Sequence, residues 1–276
     1  YGEHRELHLS PSSAASDVYK RQLKYLKQTV YGKIEVGKEY TAKYDVPYTP
    51  VVWQSFITGK KPEEHGIYSF TTYGRFWDRI RKLPVIRSIK IKAKIAWKIG
   101  IKPKAITKNH LRHKTIFDEI SPSIAIDVPT YNLVTEDWFL KFKPSHATEE
   151  LIKTIWKSYQ KRKEKTFNLM SHKKWKLFMA YFRIPDLLGH LYFVKYPLKL
   201  MNCYLELNQL ARQIKDRLQK DTVMLIVSDH GMQASKDGVT GTHSKYAFWS
   251  LNIKTDWKPK DITDFYPKIL EWAKDH

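Results

Sequence analysis

Cysteine is almost missing from this sequence. Among 276 residues there is one, Cys203. A single cysteine excludes an internal disulfide and a thiolate cluster around a metal. It falls in the helical-looking stretch Leu198–Leu218, where a small buried thiol is expected. Long apolar runs are missing too. No stretch approaches the ~18 consecutive apolar residues of a membrane-spanning helix. Acids are scarce: 28 Asp and Glu stand against 49 Lys and Arg, for a formal net charge of +21. That surplus attracts anions, whether nucleotides, phosphorylated small molecules, nucleic acid or acidic lipid surfaces, and says nothing about fold. What remains is apolar enough, at 42% hydrophobic residues, to build a core and to argue against global disorder.

The first 22 residues have no structural period. Ser10–Gln22, "SPSSAASDVYKRQ", resembles a translated sequencing adapter. Residues 1–22 are therefore set aside as a non-native or disordered tail. Residues 23–276 are expected to form one catalytic domain, truncated at its N-terminus. A cytoplasmic location is the expectation, with a signal peptide upstream left open.

Downstream, strands and helices alternate. Leu23–Lys38 reads as the end of a helix and a short strand. Tyr48–Gly59 reads as a short helix with Thr49 as N-cap, Pro50 at the first helical position and Gly59 at the stop. Ser121–Pro129, Lys176–Phe182 and Thr222–Ser228 read as buried strands, and Ser145–Met170 and Leu198–Leu218 as helices. The aliphatic run Val223–Val227 suits a strand covered on both faces. The pattern predicts an α/β fold with a largely parallel central sheet flanked by helices. Thr71–Lys114 stands apart as a basic insertion whose one acid is Asp78. It suits a strand and a helix equally well. A solvated surface explains it, as does an arm that attracts nucleic acid or an anionic surface.

Chemistry gathers where strands end. "LIVSDHGM" places Asp229 and His230 just beyond an apolar strand. Open α/β sheets bind ligands there, although Asp-His-Gly also suits a plain turn. "PDLLGH" places Asp186 and His190 four residues apart, one above the other on a helical turn. "GTHS" adds His243 in a glycine-containing loop. Each signal alone is weak; a surface acid or a core histidine would explain it. Together they suit a divalent-metal site. Thr49 opens a helix, where free N–H groups and the dipole favour an anion. Its hydroxyl becomes a competent nucleophile when a metal lowers its pKa. Plain capping, contributing about 1 kcal/mol, is the simpler role.

Four segments in order carry a family resemblance: "TPVVWQSFITGKKPEEHGI" (Thr49–Ile67), "DLLGH" (Asp186–His190), "SDHGM" (Ser228–Met232) and "THS" (Thr242–Ser244). They resemble the type I phosphodiesterase/nucleotide pyrophosphatase branch of the alkaline phosphatase superfamily. The resemblance runs from about Leu23 to the C-terminus and implies an alkaline phosphatase-like domain. It implies two divalent ions, zinc or else manganese. Asp186, His190 and His243 would hold one. Asp229, His230, the nucleophile Thr49 and an aspartate ending the family's first strand would hold the other. No residue matches that last aspartate, because Asp17 lies in the tail, so the second site is expected to be one ligand short. His65 matches the family pattern as a packed residue at a turn, and Asp127 is a candidate supporting group near the site.

The implied activity is hydrolysis of phosphodiester or pyrophosphate bonds in small, nucleotide-type substrates through a covalent threonine intermediate. A phosphomonoesterase or mutase of the same superfamily is the first alternative. A non-catalytic binder of nucleic acid or anionic surfaces is the second. A sulfatase is disfavoured, because "TPVVW" lacks the Cys or Ser of the C/S-x-P-x-R motif.

Overall fold

A computed structural model describes residues 23–41, 45–74, 103–133, 142, 144 and 148–275. The tail 1–22 and residues 75–102 of the basic insertion lie outside the described residues. The chain is a mixed α/β protein. Helix α1 (Lys24–Lys27) leads into β1 (Val30–Glu35). Helices α2 (Thr49–Thr58) and α3 (Pro62–His65) follow, and then β2 (Thr71–Thr72) and β3 (Lys104–Ala105), which pair with each other across the insertion. Next come α4 (Ile116–Glu119), β4 (Ser123–Ile126), α5 (Glu149–His172) and β5 (Leu177–Ala180). Helices α6 (Ile184–Tyr192) and α7 (Pro197–Lys215) precede β6 (Leu225–Val227). The hairpin β7 (Gly231–Ala234) and β8 (Gly241–Ser244), strand β9 (Tyr246–Leu251) and helix α8 (Phe265–Asp275) complete the chain.

The largely parallel central sheet expected from the sequence is not seen among the described residues. The largest sheet has three strands in the order β1-β9-β6, and both pairings are antiparallel. Among the described residues the one parallel pair is β4 with β5. Two features of the sequence explain the difference. Strand β9, "YAFWSL", enters between β1 and β6 against their direction. In addition, β5 and β6 are each paired on one edge only among the described residues. The residues of both strands are half-buried rather than sealed on both faces as the aliphatic pattern predicts.

Helix α2 explains where the core sits. All of its residues are buried, from Thr49 to Thr58. A helix covered all round belongs at the centre of a molecule. Val51, Val52, Phe56 and Ile57 pack with Ile34 of β1, Trp249 and Leu251 of β9 and Phe265 of α8. Gly59 closes α2 in the left-handed conformation, φ 64°, donating its N–H to the Ser55 carbonyl, as its position in the sequence predicts. The N-cap is Tyr48, one residue before the expected Thr49, so Pro50 is the second helical residue. A second apolar cluster joins α5, α6 and α7 through Ile155, Tyr159, Leu187, Leu188, Leu200 and Cys203. Burial, then the charge of Glu206, pushes the Cys203 thiol up to about 12, as suits an inert structural cysteine. Thr148 caps α5 by accepting from the Leu151 N–H.

His65 is packed, as its place at a turn predicts. Its Nδ1 accepts from the Ile67 N–H at 3.0 Å, so Nε2 carries the hydrogen and donates to Ser55 Oγ at 3.0 Å. Both ring nitrogens are committed in the neutral form. Burial, then the nearby His113, lowers its pKa from 6.5 to about 4. Between those values the unfolded chain binds the proton and the folded chain does not. Stability contributed by neutral His65 is complete above pH 6.5 and is lost as pH falls towards 4, by about 3 kcal/mol across the window. Urea unfolding at pH 7 and pH 4.5 should show that loss, and His65→Gln should flatten the slope. An unchanged slope would assign the titration to another group.

Candidate metal centre

Three chain segments converge. Asp186 lies in the first turn of α6 and His190 one turn later. Asp229 and His230 occupy the link between β6 and β7. His243 lies on β8, directly across from Met232 of β7. Asp186 Oδ1 is the meeting point. It lies 3.3 Å from His190 Nε2, 3.3 Å from His243 Nε2 and 3.8 Å from His230 Nε2. Asp229 Oδ2 is 3.4 Å from His230 Nε2. The His230 and His243 rings stack at 3.6 Å.

The other face of each ring fixes its tautomer. His190 Nδ1 donates to the Gly241 carbonyl at 2.8 Å, His243 Nδ1 to the Pro47 carbonyl at 2.8 Å and His230 Nδ1 to the Gly231 carbonyl at 3.0 Å. A carbonyl can only accept, so every Nδ1 carries hydrogen. Each neutral ring therefore turns an Nε2 lone pair inward. His190 Nε2 and His243 Nε2 face each other at 3.1 Å. Two lone pairs at that distance repel unless a cation or a proton lies between them.

Three atoms here are buried without a hydrogen-bond partner among the described residues: Asp186 Oδ1, Asp229 Oδ2 and His230 Nε2. Buried polar atoms cost roughly 1–3 kcal/mol each when left unmade. Asp186, His230 and His243 offer ligand atoms that all lie within 4.8 Å of one another. The donor set, two or more imidazoles with one carboxylate oxygen, suits a divalent transition metal. The residues present fit the group that the sequence motifs imply.

Charge adjusts accordingly. Burial would raise the Asp186 carboxyl, but the adjacent His190 and His243 hold it well below the usual carboxylate range. Burial would lower His243, and Asp186 outweighs it, so His243 is raised. His230 is lowered by burial, against the pull of Asp229. A proton on His243 is thus the metal-free counterpart of a bound cation, and metal binding should release it.

The Thr49 side chain makes no hydrogen bond to the cluster among the described residues; the link is through the chain. Pro47, whose carbonyl holds His243, is two residues before it and ties the start of α2 to the centre. The helix start offers less to an anion than its sequence suggests. Val51 and Val52 both donate to the Tyr48 carbonyl and Pro50 has no N–H, which leaves the Thr49 amide. Asp127 does not support the cluster: its Oδ2 is bound by Arg162 Nε of α5 at 2.6 Å. The expected division into two metal sets is not visible either, since the closest ligand group mixes residues from both.

Sequence reasoning missed the carbonyls of Pro47, Gly231 and Gly241, because a backbone acceptor leaves no signature. It also missed why Gly241 must be glycine. A Cβ there would collide with the Gly189 carbonyl and with Phe193, which closes α6 against β8 so that His190 reaches the Gly241 carbonyl. Gly241→Ala should cost about 1–3 kcal/mol of stability and weaken zinc binding at least tenfold. Chemical denaturation with zinc titration checks both. Unchanged affinity would remove the glycine from the geometry of the centre.

The Asp186, His230 and His243 group, set at the ends of strand and helix segments of a mixed α/β chain, could hold a metal ion. The chain belongs to the type I phosphodiesterase / nucleotide pyrophosphatase family, whose model matches residues 33–271. No curated protein and no solved structure matches it. No helix among the described residues is long and apolar enough to cross a membrane.

Proposed function

We propose that this protein hydrolyses phosphodiester or pyrophosphate bonds in nucleotide-type substrates, with Thr49 as nucleophile and two divalent ions, zinc or manganese, as cofactors. The observation that carries the reading is the inward convergence of three imidazole lone pairs on one carboxylate oxygen. Asp186, His190 and His243 would hold one ion, and Asp229, His230 and Thr49 the other. When bound, the ions supply Lewis-acid stabilisation of phosphoryl oxygens and lower the pKa of a coordinated hydroxyl. The hydroxyl of Thr49 attacks phosphorus in line, the leaving alcohol or phosphate departs, and water then hydrolyses the phosphothreonine. The Thr49 amide steadies a non-bridging oxygen at the start of α2. The excess of basic residues, including those of 71–114, draws anionic substrates towards the protein.

The test compares bis(p-nitrophenyl) phosphate with p-nitrophenyl phosphate after addition of zinc or manganese. The expected result is metal-dependent turnover that prefers the diester and stops with chelator. Preference for the monoester would move the protein to the phosphomonoesterase or mutase reading. Absence of bound metal, with polyanion affinity that collapses in salt, would favour the non-catalytic binder.

A further inference from the structure

Among the described residues, the large apolar or aromatic side chains that stand exposed are Tyr31, Tyr68, Tyr196, Leu198 and Val239. The last three fall on two turns. Lys195–Lys199, "KYPLK", leads from α6 into the first turn of α7, and all of its residues are exposed. Lys236–Val239, "KDGV", lies at the tip of the β7–β8 hairpin, and all of its residues are exposed too. The two turns lie side by side. The Asp237 carboxyl is held below its ordinary range by the N–H and hydroxyl of Thr240 and by the Val239 N–H, and the charge of Lys195 lowers it further. Behind the turns, Gly241 of β8 abuts Phe193, the residue that follows α6.

One exposed apolar residue is ordinary; a cluster of them marks a contact surface. Here Leu198 is the most exposed of the set, at 74%. Charge of one sign surrounds the apolar tips: Lys195, Lys199 and Lys236 against the single acid Asp237. Asp237 is engaged within its own turn, where it accepts from Val239 and Thr240. Lys199 Nζ lies 4.8 Å from the centre of the Tyr196 ring and 5.7 Å from that of Tyr192, which keeps the ammonium beside the aromatic tip. A protein partner fits this surface poorly, because stable interfaces bury about 1,000 Å² or more and are depleted in lysine. Nucleic acid would engage the lysines and leave Leu198 and Val239 in water. An anionic bilayer satisfies both. Aliphatic tips enter the acyl boundary and tyrosine suits the headgroup level. The lysines reach lipid phosphates and carboxylates with their methylene stems laid along the apolar tips. The net charge of +21 favours the same surface.

We infer that these two turns form a docking site for an anionic bilayer surface, with Tyr196, Leu198 and Val239 inserted among the headgroups and Lys195, Lys199 and Lys236 paired with lipid anions. The turns lie outside the basic insertion 71–114. Helix α6 carries His190 and β8 carries His243, so the elements that dock are the ones that build the metal centre. The inference itself is independent of the chemistry at that centre.

The experiment measures, by sedimentation, how the 276-residue protein partitions onto vesicles of phosphatidylcholine with phosphatidylserine. Each lysine at such a surface strengthens binding about fivefold, so net charge alone attracts the molecule, and the deciding variant must leave charge unchanged. Tyr196→Ser, Leu198→Ser and Val239→Ser combined keep the net charge at +21. Together they should lower the partition by about tenfold or more. Tyr31→Ser, exposed on β1 and outside the two turns, should leave it unchanged. Lys195→Gln with Lys199→Gln should lower it by about tenfold or more as well. An environment-sensitive fluorophore on Leu198→Cys should brighten when vesicles are added, while the buried Cys203 stays unlabelled. Equal partition of the triple variant and the parent would overturn the inference in favour of unspecific attraction by net charge. Failure of the parent to bind these vesicles would overturn it outright. So would self-association of the parent that the triple variant loses while lipid binding stays the same, because the tips would then meet a second copy of the chain.

Discussion

Asp186→Ala should abolish zinc binding and reduce diester turnover by about a thousandfold or more. One oxygen of this side chain lies within 3.8 Å of three imidazole nitrogens, and no other acid holds that position. Removing it leaves His190 and His243 facing each other at 3.1 Å, with Asp229, 3.4 Å from His230, as the remaining carboxylate of the cluster. Either the lone pairs repel, or protons collect on rings that burial already discourages from charging. Neither state favours a dication. Loss of one preorganised group at a developing charge typically costs 10²–10³ in rate, and loss of the ion it holds removes more. Zinc should raise the thermal midpoint of the parent protein and leave that of the variant unchanged. A variant that takes up zinc like the parent would show that the cluster is a hydrogen-bonded core feature and not a metal centre.

Thr49→Ala should have a comparable effect on turnover with a different signature. If Thr49 is the nucleophile, its loss should lower turnover by about 10⁴, or ~5 kcal/mol of transition-state stabilisation. The imidazole and carboxylate ligands would remain, so zinc uptake should persist. Thr49→Ser, which keeps a hydroxyl, should recover part of the rate. Rapid quenching of the parent with a slow substrate should trap a phosphoryl group on Thr49. Retention of more than a tenth of the activity by the alanine variant would return Thr49 to a purely structural role at the start of α2, where it is already buried.

The pair of variants also separates what was legible in the sequence from what was not. Asp186, His190, Asp229, His230 and His243 could be picked out because each sits just beyond a periodic apolar segment, and the structure brings all five together. The partition of these five between two ions was not legible, since it depends on distances between loops from different strands. The position of Thr49 was readable to within one residue: proline and glycine mark both ends of α2, but the cap depends on the backbone of Tyr48. The sheet was the least legible part. The aliphatic run Val223–Val227 predicts cover on both faces, yet β6 is half-buried. Sequence cannot say that β9 enters antiparallel between β1 and β6. Asp127 illustrates the same limit from the polar side. Its place at a strand end suits a role near the centre, yet Arg162, more than two turns inside α5, claims it.

The pairing of β1 with β9 bears on how the protein is made. Gln28, just before β1, donates its side-chain amide to Ser250, 222 positions further along. Ribosomes add about 5–20 residues per second, so β1 waits roughly 10–40 s for its neighbour to be synthesised. During that interval the emerging chain carries an unsatisfied strand edge, open to other nascent chains, and its yield in the cell should depend on chaperones and on the speed of translation more than on the stability of the finished molecule.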